Sequence, residues 1–335
     1  MNMNQTTNWV EAIKLTPAES RSVYQALLPI AANINSDMAL VTYANEIAEA
    51  MRDALSTSTV NAIASFTERP ETLQVIDGWP IDLLSLPDTP SYHPVHLTNI
   101  ALYAMILVGY CLIRGECPVS YVHENAGQLI RHVTPKITQQ SEVSSHGSTI
   151  LGPHTDNEHK PIAGVEMGQE QAAAPSTLTL LSLRCDLMVP TLFASVQDIV
   201  AKLPEKIVQQ FVQPVFIAQP PQSFSSAASA MKEVPVLIAA KGRYYARYGN
   251  ISAISEIAVD ALTQLRTLLN KDSLWLPLPL LPGSSVCFKQ NEVLHARTVL
   301  PPRPFDGGSR WLLRLYSMQP EHVKPINSEM SFLQL

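Results

Sequence analysis

A chain of 335 residues with 46% apolar and 16% charged residues can bury a full core, and its composition is neither disordered nor coiled-coil. With 23 basic and 29 acidic residues the net charge is −6, and no Lys/Arg cluster tracks a phosphate backbone, so nucleic acid is not an expected partner. The N-terminus lacks a secretory signal pattern, the apolar run 100–113 is too short to cross a membrane, and Cys111, Cys117, Cys185 and Cys287 form no CxxC pair; a reduced, cytoplasmic protein with no membrane attachment is expected.

Apolar residues at spacings of three and four through Val23, Leu27, Leu28, Ile30 and Ala31 predict a helix beginning near Pro17. Thr16 or Ser20 could cap it, and the capping-box spacing from Thr16 to Glu19 favours Thr16. A second helix is expected over 44–55, so residues 1–70 read as a helical annex. The segment 73–81 (LQVIDGWPI) reads as a strand ending in a turn, and after LPDTPSYHP another helix is expected near 97–114. From about Thr149 the text changes to short apolar runs broken by Pro and Gly. Strands are expected over 178–183, 215–218, 234–239, 285–289 and 311–317, and an amphipathic helix over 254–269. Helices first and short strands later predict an α+β fold with a mainly β core, a barrel or sandwich wrapped by helices. One domain, 1–335, is expected, with its core in 71–320 and a lid loop near 157–177 that includes the biased stretch GVEMGQEQAAAPS.

The segment LGPHTDNEHKP (151–161) carries the candidate chemistry. In an extended strand His154 and Asp156 project from one face and can share a metal ion. Completed by a distant histidine, this pair makes the facial triad of non-haem iron, which leaves positions for a co-substrate and O2. Alone, the HxD pair also suits a structural histidine beside a solvated aspartate. The far end of the chain narrows the choice. There, VLHARTVLPPRPFDGGSRWLLRLY (293–316) supplies His295 and sets Arg310, Leu312, Arg314 and Tyr316 on one face of a terminal strand. Two guanidinium groups facing an apolar interior demand anions, because burying an unpaired charge is costly. A planar fork matches a carboxylate with two hydrogen bonds. Arg310 is therefore the expected anchor for 2-oxoglutarate, and Arg314 a candidate for a substrate carboxylate; the alternative is that either faces solvent from an edge strand.

These motifs resemble the clavaminate synthase-like branch of the Fe(II)/2-oxoglutarate oxygenases over roughly residues 70–320. The likeness is carried by GWPIDLLSLPDTP (78–90), by HTD at 154–156, where the family more often has HTE, by LRCDLMVPTLFAS (183–195) and most specifically by HARTVLPPRPFDGGSRWLLR (295–314). It implies a double-stranded β-helix (jelly-roll) with flanking helices, and Fe(II), 2-oxoglutarate and O2 as cofactor and co-substrates. It also implies that His154, Asp156 and His295 hold the metal while Thr191 joins Arg310 on the 2-oxoglutarate carboxylate. The expected reaction is hydroxylation of an unactivated C–H bond of a small amino acid, free or tethered to a carrier protein, in specialised metabolism such as antibiotic biosynthesis. Desaturation or oxidative cyclisation would need no different ligand set. Ser144 and Ser148 sit where relatives contact substrate or order the metal strand, but an ordinary polar loop is the favoured reading of this segment. Gly249 stands where relatives often have an aspartate, an absence that argues against arginine or lysine as substrate.

His159 completes an HxDxxH string, but the companion HxH of a dinuclear zinc hydrolase is missing; it is a candidate for lining the substrate mouth, with a structural histidine as the alternative. Arg297 would share the face of His295 if the strand continued, or form an ion pair either behind the metal ligands or at the surface. His93, His96, His123, His132, His146 and His322 lie outside any ligand spacing. Two other classes compete with the oxygenase reading: a non-catalytic small-molecule-binding barrel, against which the three retained ligands count, and a zinc hydrolase indifferent to oxygen.

Overall fold

The computed structural model describes residues 8–92, 95–166, 172–224, 228–302 and 305–323, together with the backbone of 330–332. The helices are α1 (Pro17–Ala31), α2 (Asp37–Thr42), α3 (Ala44–Ala54), α4 (Thr57–Ala64), α5 (Ala101–Ile113), α6 (Val196–Lys202), α7 (Glu205–Phe211) and α8 (Glu256–Leu269). The strands are β1 (Val10–Lys14), β2 (Leu73–Asp77), β3 (Cys117–Tyr121), β4 (Arg131–Val133), β5 (Leu151–His154), β6 (Thr177–Arg184), β7 (Thr191–Ser195), β8 (Phe216–Ala218), β9 (Met231–Val234), β10 (Leu237–Ala240), β11 (Arg243–Ala246), β12 (Ile251–Ala253), β13 (Leu276–Leu278), β14 (Ser284–Lys289), β15 (Val293–Arg297), β16 (Trp311–Met318) and β17 (Met330–Phe332).

The Thr16–Glu19 capping box forms as the spacing predicts, with Thr16 Oγ1 accepting the Glu19 N–H at 3.1 Å and Glu19 accepting the Thr16 N–H at 2.9 Å. Glu19 also accepts from the Ser56 N–H and the Thr59 hydroxyl, so one carboxylate joins the starts of α1 and α4. Helix α5 is buried almost all round, as an apolar helix without a polar stripe must be. It packs with α1, α3 and α4 on one face of the larger sheet, whose strand order is β1-β2-β14-β6-β16-β3-β17, with β4 also on β16. The smaller sheet runs β13-β7-β15-β5. The inner faces of the two sheets meet through Phe193 and Phe288, whose ring centroids are 5.2 Å apart, and through Leu178, Leu180, Val293 and Leu312. This is a jelly-roll, an α+β fold with a mainly β core.

Outside the smaller sheet, α6, α7 and α8 enclose a third apolar cluster with β8 to β12. Two expectations are corrected here. The annex starts with a strand, because β1 pairs in parallel with β2 and completes the edge of the larger sheet, a partner far along the chain that no local pattern shows. The expected run 234–239 is two strands, because Pro235 cannot donate to a ladder and Glu233, at φ 53°, bends the chain before it. All four cysteines are free thiols, and among the described residues no helix is long and apolar enough to cross a membrane. Part of the expected lid, residues 167–171 including Glu170, lies outside the described residues, as does His93.

Candidate active site

Strands β5 and β15 run antiparallel with His154 opposite His295, so two residues far apart in sequence become cross-strand neighbours with ring centroids 4.0 Å apart. His154 Nδ1 donates to the Gly152 carbonyl at 2.8 Å, which turns Nε2 toward Asp156 Oδ1 at 3.3 Å. His295 Nε2 lies 3.7 Å from the same oxygen. The other carboxylate oxygen, Oδ2, is held by the Tyr316 hydroxyl at 2.6 Å and Arg314 Nη1 at 3.1 Å. Gln290 Nε2 donates to the Asp156 carbonyl at 2.8 Å, and the Thr155 N–H donates to the Tyr248 carbonyl at 2.6 Å, which fixes the backbone between the two residues. One oxygen of Asp156 is thus anchored while the other faces two imidazoles. The three ligating atoms lie within 4.8 Å of one another and could hold one ion.

The electrostatics suit a cation. Burial opposes ionisation of Asp156, but the hydrogen bond to His154 and the charge of Arg314 hold its carboxyl well below the usual range. Burial, reinforced by neighbouring His154, pushes His295 down to about 3 and keeps it neutral, the form a metal needs. Burial lowers His154 too, but its hydrogen bond to Asp156, the charge of that carboxylate and the Gly152 carbonyl together leave it raised.

A cavity of about 450 Å³ opens from this cluster between the sheets. On its wall Arg310 Nη2 donates to Thr191 Oγ1 at 2.9 Å, which brings together the two residues expected on 2-oxoglutarate. Burial and the charge of Arg297 push the Arg310 guanidinium down to about 10, and among the described residues no carboxylate lies within ion-pair distance of it. A buried cation so placed is the natural seat of an incoming carboxylate. Arg297 is buried, not on the surface, and its Nη2 donates to the carbonyls of Gly147 and Thr149 at 2.8 Å each.

Arg314 departs from expectation. It needs no substrate anion, because Glu124 at 2.7 Å and Asp156 at 3.1 Å already pair with it. Ser144 lines the cavity and donates to Glu142 at 3.2 Å. Ser148 does not line it; its N–H meets the Gln140 carbonyl and its carbonyl accepts from Leu300. His159 is packed edge-on against Phe224, centroids 4.6 Å apart, away from the cavity wall.

Three lining residues escape the sequence reading. Glu124 and Arg131, paired at 3.0 Å, come from the segment after β3 and from β4, where nothing in the local text distinguishes them. Glu158 stands within the HTDNEH string itself, where a second carboxylate beside the metal pair was the available signal. Burial pushes its carboxyl up to about 7.

No protein-family model matches the chain. It is 27% identical over 257 residues to the L-asparagine oxygenase of Streptomyces coelicolor (strain ATCC BAA-471 / A3(2) / M145), covering 74% of this chain and 71% of that protein. Its fold matches asparagine oxygenase solved with Fe(II), 2S,3S-3-hydroxyasparagine and succinate, with a TM-score of 0.78, 24% identity and coverage of 92% of this chain and 93% of the other. It also matches the non-heme iron oxygenase OrfP solved with Fe, succinate and (3S)-hydroxy-L-Arg, with a TM-score of 0.76, 20% identity and coverage of 92% and 94%. In its jelly-roll fold, in its sequence relative and in the His154, Asp156 and His295 cluster that could hold one metal ion, the chain is similar to non-haem iron oxygenases.

Proposed function

We propose that this chain is an Fe(II)/2-oxoglutarate-dependent oxygenase that hydroxylates an unactivated C–H bond of an amino acid, free or tethered to a carrier protein. One observation carries the reading: Asp156 Oδ1 and two imidazoles converge on the wall of a cavity that is also lined by the buried Arg310 beside Thr191, with no carboxylate among the described residues within ion-pair distance of that guanidinium. A metal cluster and a separate buried guanidinium on one cavity suit a keto diacid whose keto-acid end meets the metal and whose far carboxylate meets the guanidinium.

In this reading His154, Asp156 and His295 hold the iron, and Arg310 with Thr191 holds the far carboxylate of 2-oxoglutarate. The bound ion and co-substrates supply the oxidising chemistry, with O2 and 2-oxoglutarate consumed, succinate and CO2 released and one oxygen atom delivered to the substrate. The chain's own residues do the positioning. Gly152 fixes the tautomer and tilt of His154, and Tyr316 with Arg314 keeps Asp156 ionised and directed at the metal. Leu178, Leu180 and Leu312 line the cavity with apolar surface that excludes water from the reacting atoms. Glu124, with its Oε2 buried and unpartnered among the described residues, offers an acceptor for the ammonium group of an amino acid. The likeness to asparagine oxygenase and OrfP, whose structures hold hydroxylated amino acids, supports the substrate class.

The test is a mass-spectrometric screen of free and carrier-bound amino acids with Fe(II), ascorbate and 2-oxoglutarate, which should find a product heavier by one oxygen; loss of two hydrogens would indicate desaturation or ring closure instead. His154→Ala should abolish substrate-triggered succinate formation, and normal turnover by that variant would overturn the assignment. Oxygen-independent turnover would favour a zinc hydrolase.

A further inference from the structure

Three carboxylates line the cavity, and they are not equivalent. Asp156 is committed to two histidines, Tyr316 and Arg314. Glu124 spends one oxygen on Arg131 and Arg314. Glu158 is only 4% exposed and accepts the Asn250 N–H at 2.8 Å through Oε1, but among the described residues no Lys, Arg or side-chain donor reaches it. Burying a carboxylate this way costs free energy that a ligand's donor would offset.

Its placement depends on Gly249. A Cβ there would lie 2.6 Å from Glu158 Oε1 and 3.3 Å from the His154 Cβ, so any side chain at 249 would drive the carboxylate out. The backbone beneath Glu158 is fixed as well, since the buried Arg247 donates to the carbonyls of Glu158 and Lys160 at 3.4 and 3.3 Å. The Glu158 carboxylate therefore reaches the cavity wall from the loop after the metal strand, in the space that Gly249 leaves beside His154.

We propose that Glu158 is a specificity-determining residue, accepting a hydrogen bond from the far end of a substrate side chain that terminates in an N–H group; this rests on the amino-acid reading above. Carboxamides and cationic nitrogen groups meet that description, while aliphatic and carboxylate side chains do not.

The experiment uses the full chain with Fe(II) and 2-oxoglutarate and measures succinate formed with L-asparagine, L-glutamine, L-ornithine and L-arginine against L-leucine, L-norvaline and L-aspartate. Turnover should be confined to the first group. Glu158→Gln should raise KM for the best substrate about 10- to 100-fold with a smaller change in kcat, and should narrow the gap to L-aspartate. The ultraviolet–visible absorption of the Fe(II)–2-oxoglutarate complex should persist in the variant, which separates this effect from damage to the metal site. If Glu158→Gln does not fold, Glu158→Asp retracts the same charge by one methylene and should shift preference toward the longer donors. Unchanged KM and selectivity in either variant, a uniform loss across all substrates, or a wild-type preference for the second group would overturn the role of Glu158. No turnover with any of the panel, free or loaded on a carrier protein, by a wild-type chain that binds Fe(II) and 2-oxoglutarate would sink the amino-acid reading, and this inference with it.

Discussion

The two faces of β16 carry opposite chemistry on one backbone. Trp311, Leu313 and Leu315 face the helical layer and join the apolar cluster under α5, whereas Leu312, Arg314 and Tyr316, with Arg310 just before the strand, face the cavity. Period-two alternation lets a single strand serve both ends. The outer face contributes stability through burial of apolar surface. The inner face costs stability, because its buried charges must be matched by Glu124, Asp156 and, at Arg310, by something from outside. The comparison teaches that binding capacity here resides where the fold leaves a charge incompletely paired.

Substitutions on the two faces should therefore separate cleanly. On the outer face, Trp311→Ala removes a fully buried ring and should cost about 3–5 kcal/mol in urea unfolding, with KM for 2-oxoglutarate unchanged in the folded fraction. A raised KM at unchanged stability would break the distinction. On the inner face, Tyr316→Phe leaves Asp156 Oδ2 with Arg314 alone and should weaken Fe(II) binding roughly 10- to 100-fold, read by competition with a chelating dye, with little loss of stability.

The smallest effect concerns two histidines outside the metal cluster. Burial pushes His132 down to about 4, helped by the charge of Lys136, and its Nδ1 accepts the Trp311 indole N–H at 3.1 Å. Burial likewise pushes His146 down to about 3, with the charges of Arg131 and Lys136 acting in the same sense. Because both folded values lie below the unfolded value near 6.5, neither histidine affects stability above that pH. As pH falls below it the unfolded chain binds protons first, and stability should decline by at most about 1.4 kcal/mol per pH unit for each histidine until the folded forms protonate near 4 and 3. Urea midpoints measured from pH 7.5 to 5 should fall in wild type and fall less steeply in His132→Phe. Equal slopes would show that His132 does not contribute.

What the sequence determined by itself was whatever depends on local periodicity and residue chemistry. The capping box at Thr16, the alternation through 310–316 and the same-face pairing of His154 with Asp156 follow from backbone geometry and needed no partner to be legible. Tertiary structure alone decided what depends on register between distant segments. It set His295 opposite His154, paired Arg314 with Glu124 rather than leaving it for a substrate, turned His159 and Ser148 from the cavity, and let Glu158 fill the space that Gly249 leaves. The physical reason is that a charged side chain announces only that it needs a partner when buried, whereas the identity of that partner is fixed by which strands lie side by side.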